Sequence, residues 1–162
     1  CREYHVPYFG ICLGMQISVI AFARSVAGMA DANSGEFDDK STHKVIDFLP
    51  DQNDSVAKGG TLRLGAYPCA IVPGTQMEKA YGASHIYERH RHRYEFNNDF
   101  RQALQEAGLV ISGTSPDGYI VETVELSAAP FYLGVQFHPE FKSRPNKPHP
   151  LFVAFVKASL EK

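Results

Sequence analysis

Hydrophobic residues recur with a helical period in three parts of the chain. Between residues 13 and 28 they return every three or four positions up to Gly28, which predicts a mostly buried helix. Residues 151–160 show the same spacing and predict an amphipathic helix. A shorter helix is predicted for residues 99–108, with Asp99 as its N-cap and Gly108 as its stop.

Apolar runs and alternating polar and apolar residues predict strands around these helices. The first strand, at residues 6–11, follows five residues whose pattern is typical of the last turn of a helix. A turn at residues 115–118 predicts that two of the later strands form a hairpin. Residues 30–44 and 50–60 are rich in turn formers and predict loops. Further strands are predicted at residues 45–49, 61–72, 86–96, 109–114, 119–126 and 131–137.

Composition and charge narrow the class of protein. The 162 residues, 44% of them hydrophobic, suffice for one domain, and the mixture of helices and strands predicts an α/β fold. The net charge of -2 gives no positive field, so neither nucleic acid nor a membrane surface is expected as a partner. No apolar run approaches the roughly 18 residues of a membrane span. Because the chain opens on Cys1 instead of methionine, we expect a fragment that lacks its N-terminal segment.

One of the three cysteines lies in a pattern that indicates chemistry. Cys1, Cys12 and Cys69 are odd in number and irregularly spaced, which indicates a reducing, cytoplasmic environment without disulfides. Cys12 stands between Gly10 and Gly14, where a predicted strand meets a predicted helix, as the nucleophile does in a G-x-S-x-G elbow. The helix N-terminus favours the reactive thiolate. A buried cysteine beside glycines is also common as an inert core residue, so the catalytic interpretation requires a base.

A candidate base follows the last predicted strand. His138, Pro139 and Glu140 come directly after the apolar residues 131–137. In an extended segment, side chains two residues apart face the same side, and Pro139 biases His138 away from helical backbone. Glu140 is therefore expected to orient the His138 ring, leaving the other ring nitrogen to exchange a proton with sulfur. The alternative is a histidine at the end of a core strand with Glu140 in solvent, and the presence of Cys12 argues against it.

Together these motifs resemble one enzyme family. Residues 10–16 (GICLGMQ) with residues 137–140 (FHPE) are similar to the glutaminase domain of the class I glutamine amidotransferases. Residues 31–38, 65–68 and 88–97 further resemble the CTP synthases, and the resemblance covers essentially all 162 residues. It implies an open layered sheet with helices on both faces, and one domain, residues 1–162, that is a glutaminase lacking its N-terminal segment.

The resemblance implies hydrolysis of L-glutamine to glutamate and ammonia. Cys12 would attack the side-chain amide carbon, and His138, oriented by Glu140, would protonate the departing ammonia and activate the water that cleaves the thioester. Leu13 would donate its backbone N–H to the oxyanion. Gln16 and Glu36 would bind the α-amino-acid end of glutamine. The substrate-binding residues implied are thus Leu13, Gln16, Glu36 and Arg93.

The same resemblance sets expectations for cofactors and partners. No cofactor or metal is expected for the glutaminase reaction. ATP and Mg²⁺ are implied only for a separate synthetase domain that converts UTP to CTP, and the chain has no G-x-x-x-x-G-K-[ST] phosphate loop. The implied partners are L-glutamine, that synthetase domain in the same polypeptide, and further copies of the full enzyme in a homo-oligomer. The family's second oxyanion donor lies in an upstream loop, so this chain alone is not expected to be a competent glutaminase.

Three alternatives stay open on the sequence. The basic run at residues 89–93 could contact RNA or, with His85, hold a metal, although strand alternation separates its histidines from its arginines and favours a structural role. The glutaminase of another class I amidotransferase, such as GMP synthase, would carry the same two motifs, but the basic run argues against it. A non-catalytic interaction or regulatory module is the third, and the intact Cys12, His138 and Glu140 argue against it.

Overall fold

The chain alternates strands and helices, and the computed structural model describes residues 1–49 and 63–161. Four helices lie in these residues: α1 (Leu13–Ser25), α2 (Gln76–Tyr81), α3 (Arg101–Glu106) and α4 (Pro150–Leu160). The strands of the same residues are β1 (Tyr8–Ile11), β2 (Asn33–Ser34), β3 (Lys44–Asp47), β4 (Arg63–Ile71), β5 (His85–His92), β6 (Glu95–Phe96), β7 (Val110–Thr114), β8 (Val121–Glu125) and β9 (Tyr132–Val135).

A six-stranded sheet brings the two ends of the sequence together. Its order is β1-β9-β8-β7-β4-β5, so the strand before Cys12 lies beside the strand before His138. β1 and β9 run parallel, with Ile11 opposite Val135. The other neighbours in this sheet are antiparallel. Since the chain leaves both parallel strands at the same edge, Cys12 and His138 emerge at one end of the sheet.

Helices cover both faces of the sheet, which confirms the expected layered α/β fold. On one face α1 and α3 pack over β7, β8 and the Tyr132 side of β9, together with the small sheet β2-β3-β6. On the other face α2 and α4 pack over β4 and the side of β9 that carries Leu133 and Val135. The alternation along β9 follows from the two-residue period of a strand. In the part of the chain that the structure describes, no helix is long and apolar enough to cross a membrane.

Most predicted elements are present, and the differences lie mainly at their boundaries. The β7–β8 hairpin is confirmed, with antiparallel pairing from Val110 opposite Glu125. The single strand predicted at residues 86–96 is wrong, because β5 ends at His92 and the next strand, β6, pairs with β3 in the second sheet. Asp99 is not the helix cap: the Asn97 side chain accepts the Asp99 N–H and starts a 3-10 turn ahead of α3.

Two further segments differ from the prediction. Residues 1–5 form turns instead of the end of a helix. Helix α2 was not predicted, although Thr75 and Glu78 have the spacing of a capping box: the Thr75 hydroxyl accepts the Glu78 N–H, and the Glu78 carboxylate accepts the Gly74 N–H. The loop predicted at residues 50–60 and the start of the strand predicted at residues 61–72 lie outside the described residues.

Candidate active site

Cys12 occupies a strained turn between β1 and α1. Its backbone has φ 50° and ψ -104°, a conformation that non-glycine residues rarely adopt. Hydrogen bonds hold the turn from both sides, since the Cys12 N–H donates to the Val135 carbonyl (2.7 Å) and the Cys12 carbonyl accepts the Gln16 N–H (3.2 Å). Strain of this kind persists where the surrounding structure over-determines it, and it is concentrated at functional sites. The structure therefore has the elbow that the sequence predicts.

The two glycines around Cys12 differ in what they do. A Cβ on Gly10 would lie 2.7 Å from the Gly14 carbonyl carbon and 2.8 Å from the Tyr8 ring, so only glycine fits there. A Cβ on Gly14 would meet nothing closer than the Tyr8 hydroxyl, at 3.6 Å. That hydroxyl donates to the Gly14 carbonyl at 2.7 Å and joins β1 to α1. Crowding at the elbow therefore explains Gly10 but not Gly14.

Gly10→Ala and Gly14→Ala are expected to have opposite effects on stability. Gly10→Ala forces two backbone segments apart and should lower the free energy of unfolding by about 1 to 3 kcal/mol. Gly14→Ala replaces glycine inside a helix without a clash and should raise it by up to about 1 kcal/mol. Urea unfolding of the two variants measures both changes. Equal destabilisation by the two substitutions would contradict the steric argument.

His138 and Glu140 form the predicted pair, although by a different backbone route. The His138 Nδ1 and Glu140 Oε1 atoms lie 2.6 Å apart. The sequence analysis expected an extended segment here, and this is wrong. Pro139–Phe141 form a 3-10 turn that brings the Glu140 carboxylate back to the His138 ring. The Phe141 ring stacks on the His138 ring with centroids 5.0 Å apart. With Nδ1 donating to Glu140, the His138 Nε2 atom is left as the proton acceptor, and among the described residues this buried atom has no partner.

The environment of Cys12 opposes its ionisation. Burial raises the pKa of the Cys12 thiol, while the Leu13 backbone N–H and the Gln136 side-chain amide act in the opposite direction. The nearby Glu95 and Glu140 carboxylates add to the rise in this pKa. The Leu13 N–H at the start of α1 thus lowers this pKa, as the helix N-terminus was expected to do, but burial outweighs it, and a base has to remove the thiol proton.

A buried chain of amides reaches the Cys12 sulfur, and the sequence reasoning missed half of it. The Gln136 Nε2 atom lies 3.6 Å from the Cys12 Sγ atom. The Gln16 Nε2 atom donates to the Gln136 Oε1 atom (3.2 Å) and to the Tyr94 backbone carbonyl (2.9 Å). The available signal for Gln136 was a polar residue in an otherwise apolar segment, residues 131–137.

A cavity of about 230 Å³ opens beside Cys12. Its walls include all four predicted substrate-binding residues. Glu36 and Arg93 face each other there, with a carboxylate oxygen 3.9 Å from a guanidinium nitrogen. The sequence analysis did not single out Arg91, His92 or Tyr94, which lie at the end of β5 or just after it. The lining residues are Cys12, Leu13, Gln16, Glu36, Arg91, His92, Arg93 and Tyr94.

Charged side chains are buried directly behind this cavity. The Arg63 guanidinium donates to both oxygens of Glu122 (2.6 and 3.2 Å) and to Glu95 (3.3 Å). His92 Nε2 lies 2.6 Å from Glu95 Oε1, so the cluster joins the cavity wall. His90 lies beside Glu122, and burial lowers the pKa of His90 to about 2, which keeps that ring neutral. Arg63 is therefore the principal cation for two buried carboxylates.

The histidines of the basic run do not form a metal centre in the part of the chain that is described. Within residues 1–49 and 63–161, no three His, Cys, Asp or Glu side chains are grouped so that they could hold a metal ion. His90 and His92 instead contact aromatic rings and buried carboxylates. The expectation that the reaction needs no metal stays a prediction.

Comparison with known proteins places this geometry in a family. The model of the family described as "Glutamine amidotransferase class-I" matches residues 1–158. The chain belongs to this family. Among curated relatives, the CTP synthase of Carboxydothermus hydrogenoformans is 62% identical over 160 residues, and that of Rubrobacter xylanophilus is 61% identical over 159 residues. These matches cover 99% and 98% of the chain but 30% and 29% of the relatives, so the chain spans less than a third of their length.

Two solved structures are similar to this chain, one of them at high sequence identity. The structure of the Trypanosoma brucei CTPS glutaminase domain with bound acivicin matches 99% of this chain and 62% of its own, with a TM-score of 0.92 and 42% identity. A putative GMP synthase subunit from Thermoplasma acidophilum matches with a TM-score of 0.61 and 17% identity, which shows the fold alone. The chain thus corresponds to the glutaminase domain of CTP synthases, as the sequence motifs predicted.

Proposed function

We propose that this chain hydrolyses L-glutamine as the glutaminase part of a CTP synthase, and that the ammonia serves a synthetase domain in the same polypeptide. The observation that carries the proposal is the position of Cys12, on a strained elbow, at the same end of adjacent parallel strands as the His138–Glu140 pair. Such an arrangement of nucleophile, base and orienting carboxylate is typical of acyl transfer.

The reaction proceeds in two halves. The unpartnered Nε2 of His138 takes the proton of the Cys12 thiol as sulfur attacks the amide carbon of glutamine, and the Leu13 N–H binds the oxyanion. Collapse of the tetrahedral intermediate breaks the C–N bond, and His138 returns the proton to the leaving ammonia. Water, deprotonated by His138, then attacks the thioester and releases glutamate and the thiol. Glu140 holds the ring in the tautomer that this cycle needs.

Charges across the cavity fit the α-amino-acid end of the substrate. The Glu36 carboxylate complements an α-ammonium group and the Arg93 guanidinium complements an α-carboxylate, and the two groups lie 3.9 Å apart in the cavity wall, as the two charges of an α-amino acid are adjacent. Gln16 uses both of its N–H groups inside the protein, on Tyr94 and Gln136. Any contact between Gln16 and the substrate therefore has to come from its amide oxygen.

An electrophilic substrate analogue tests the nucleophile directly. The diazoketone analogue of L-glutamine, which carries its reactive carbon near the position of the amide, should form one covalent adduct on Cys12 of the full-length protein, located by peptide mass spectrometry. Cys69 is the internal control, because it is fully buried and burial raises its pKa to about 12. Excess L-glutamine should slow the labelling. A folded sample with an unmodified Cys12 would contradict the proposal.

The proposed function also implies a synthetase reaction, an assembly and a cellular location for the full-length protein. ATP and Mg²⁺ would serve the conversion of UTP to CTP in the synthetase domain, a homo-oligomer would be the working assembly, and the cytoplasm would be its location. The glutaminase of a GMP synthase is the less favoured function, because the chain is 62% identical to a CTP synthase and 17% identical to the putative GMP synthase protein of Thermoplasma acidophilum. A non-catalytic module is less favoured because the elbow and the His138–Glu140 pair are both formed.

A further inference from the structure

The Cys12 sulfur has a hydrogen-bond donor that the reaction described above does not use. The Gln136 side chain lies 3.6 Å from sulfur through its Nε2 atom. Gln136 follows β9 directly, and its backbone N–H donates to the Glu122 carbonyl at 2.8 Å, so its position is tied to the centre of the sheet. Gln136 is 0% exposed, so bulk water does not compete for the hydrogen bonds of its side-chain amide.

The orientation of the Gln136 amide is determined by its neighbours. The Tyr94 backbone carbonyl only accepts hydrogen bonds, so the Gln16 atom facing it at 2.9 Å has to be the amide nitrogen. The same nitrogen faces the Gln136 amide at 3.2 Å, and the atom it meets there has to be the oxygen. The Gln136 nitrogen is then the atom that faces sulfur. A flipped amide would set two donors against each other and place an oxygen on the sulfur.

We propose that Gln136 is a positioning residue that holds the Cys12 sulfur in its attacking rotamer and stabilises its thiolate through an N–H···S hydrogen bond. This inference rests on the proposed glutaminase function. Hydrogen bonds to an ionised partner are about twice as strong as neutral ones, so the bond strengthens when Cys12 loses its proton. The site needs this support, because the sulfur is half-buried and two nearby carboxylates, Glu95 and Glu140, oppose its ionisation, while the Leu13 N–H acts in the same direction as Gln136.

Gln16 also contributes to the support of the Cys12 sulfur, because it is hydrogen-bonded to Gln136. Gln16 is 3% exposed and holds the Gln136 oxygen, so its own anchor on Tyr94 is what keeps the N–H on sulfur. Replacing Gln16 by glutamate turns its donor into an acceptor and removes the reason for the Gln136 orientation. We therefore expect the effects of changing Gln16 and Gln136 on Cys12 to be coupled and not additive.

The rate of Cys12 alkylation by iodoacetamide, measured against pH in the full-length protein, tests the inference. Peptide mass spectrometry separates Cys12 from the exposed Cys1 and the buried Cys69. Gln136→Glu keeps the shape and the bond from Gln16 but removes the donor at sulfur, and Gln136→Met removes the amide altogether. Both should raise the pH midpoint of alkylation by about one to two units, and the rate at neutral pH should fall about 10- to 100-fold.

Gln105→Glu is the matched control, because it makes the same change of charge on an exposed position of α3. It should leave the midpoint unchanged, and circular dichroism should show that all variants are folded. If Gln136→Glu and Gln136→Met, once folded, keep the midpoint of the unmodified protein, the inference is overturned while the glutaminase proposal stands. If Cys12 of the unmodified protein resists both iodoacetamide and the diazoketone analogue, the glutaminase proposal fails first.

Discussion

Cys12→Ala is expected to abolish the release of ammonia from glutamine, while CTP formation from added free ammonia continues in the full-length protein. The substitution removes the sulfur on which the thioester forms, and losing the nucleophile of such a triad costs on the order of 10⁶-fold in turnover. Alanine keeps the Cβ atom of Cys12 and adds no new atoms, so we expect the fold to be unchanged. Glutaminase assays and CTP formation with ammonium chloride measure the two activities side by side.

Cys69→Ala is the control for this experiment. Cys69 lies fully buried on β4, on the face covered by α2 and α4 and away from the cavity beside Cys12. It should leave both activities close to those of the unmodified protein. Equal loss of the glutamine-dependent and ammonia-dependent activities in Cys12→Ala would refute the separation of glutamine hydrolysis from synthesis.

Arg63→Met is expected to lower the free energy of unfolding by about 3 to 5 kcal/mol. The Arg63 side chain is 7% exposed, and its partners Glu95 and Glu122 are 1% and 0% exposed. Methionine has a similar length but leaves two buried carboxyl groups without their principal cation. Burial already raises the pKa of Glu122 to about 7, so without Arg63 the buried charge is either left uncompensated or neutralised by protonation, and both cost stability. The Arg63 guanidinium also lies 4.5 Å from the centre of the Tyr67 ring, a contact that is lost as well. Urea or thermal unfolding measures the change.

Two further variants separate lost charge compensation from lost packing. Arg89→Met makes the same substitution at an exposed position of β5 and should change stability by less than about 0.5 kcal/mol. Adding Glu122→Gln to Arg63→Met removes one of the two carboxyl groups that lose their cation, and it should recover a substantial part of the lost free energy of unfolding. If the double variant is no more stable than Arg63→Met alone, the loss arises from packing, and the electrostatic explanation is wrong.

The chemistry of the site was predictable because its signals are local. A cysteine between glycines at a strand-to-helix step has few structural solutions, and His138 and Glu140 are only two positions apart in the sequence. The error about that backbone did not matter: a 3-10 turn replaced the extended segment, and the pair still meets at 2.6 Å. The roles of Cys12, His138 and Glu140 stay predictions until the labelling and mutational experiments are done.

Elements with weaker local signals were misplaced. Helix α2 has only six residues, and its capping pair, Thr75 and Glu78, was overlooked among turn-forming neighbours. The strand predicted at residues 86–96 was too long, because nothing in its alternation indicates that the chain leaves one sheet after His92 and joins another at Glu95. Such a choice depends on which distant strand is available for pairing, which is a tertiary property.

The sequence by itself determined the fold class, the elbow, the His138–Glu140 pair and the resemblance to class I glutamine amidotransferases, because each is indicated by short local patterns that can be recognised one by one. Only the tertiary structure decided how the sulfur is supported. Gln16 and Gln136 are 120 positions apart, and Gln136 reaches Gln16 and Cys12 because β1 and β9 pair in parallel. Burial raises the pKa of Cys12, and the Gln136 side-chain amide opposes this rise. Both effects come from contacts between residues that are far apart in the sequence, which a local sequence pattern does not reveal.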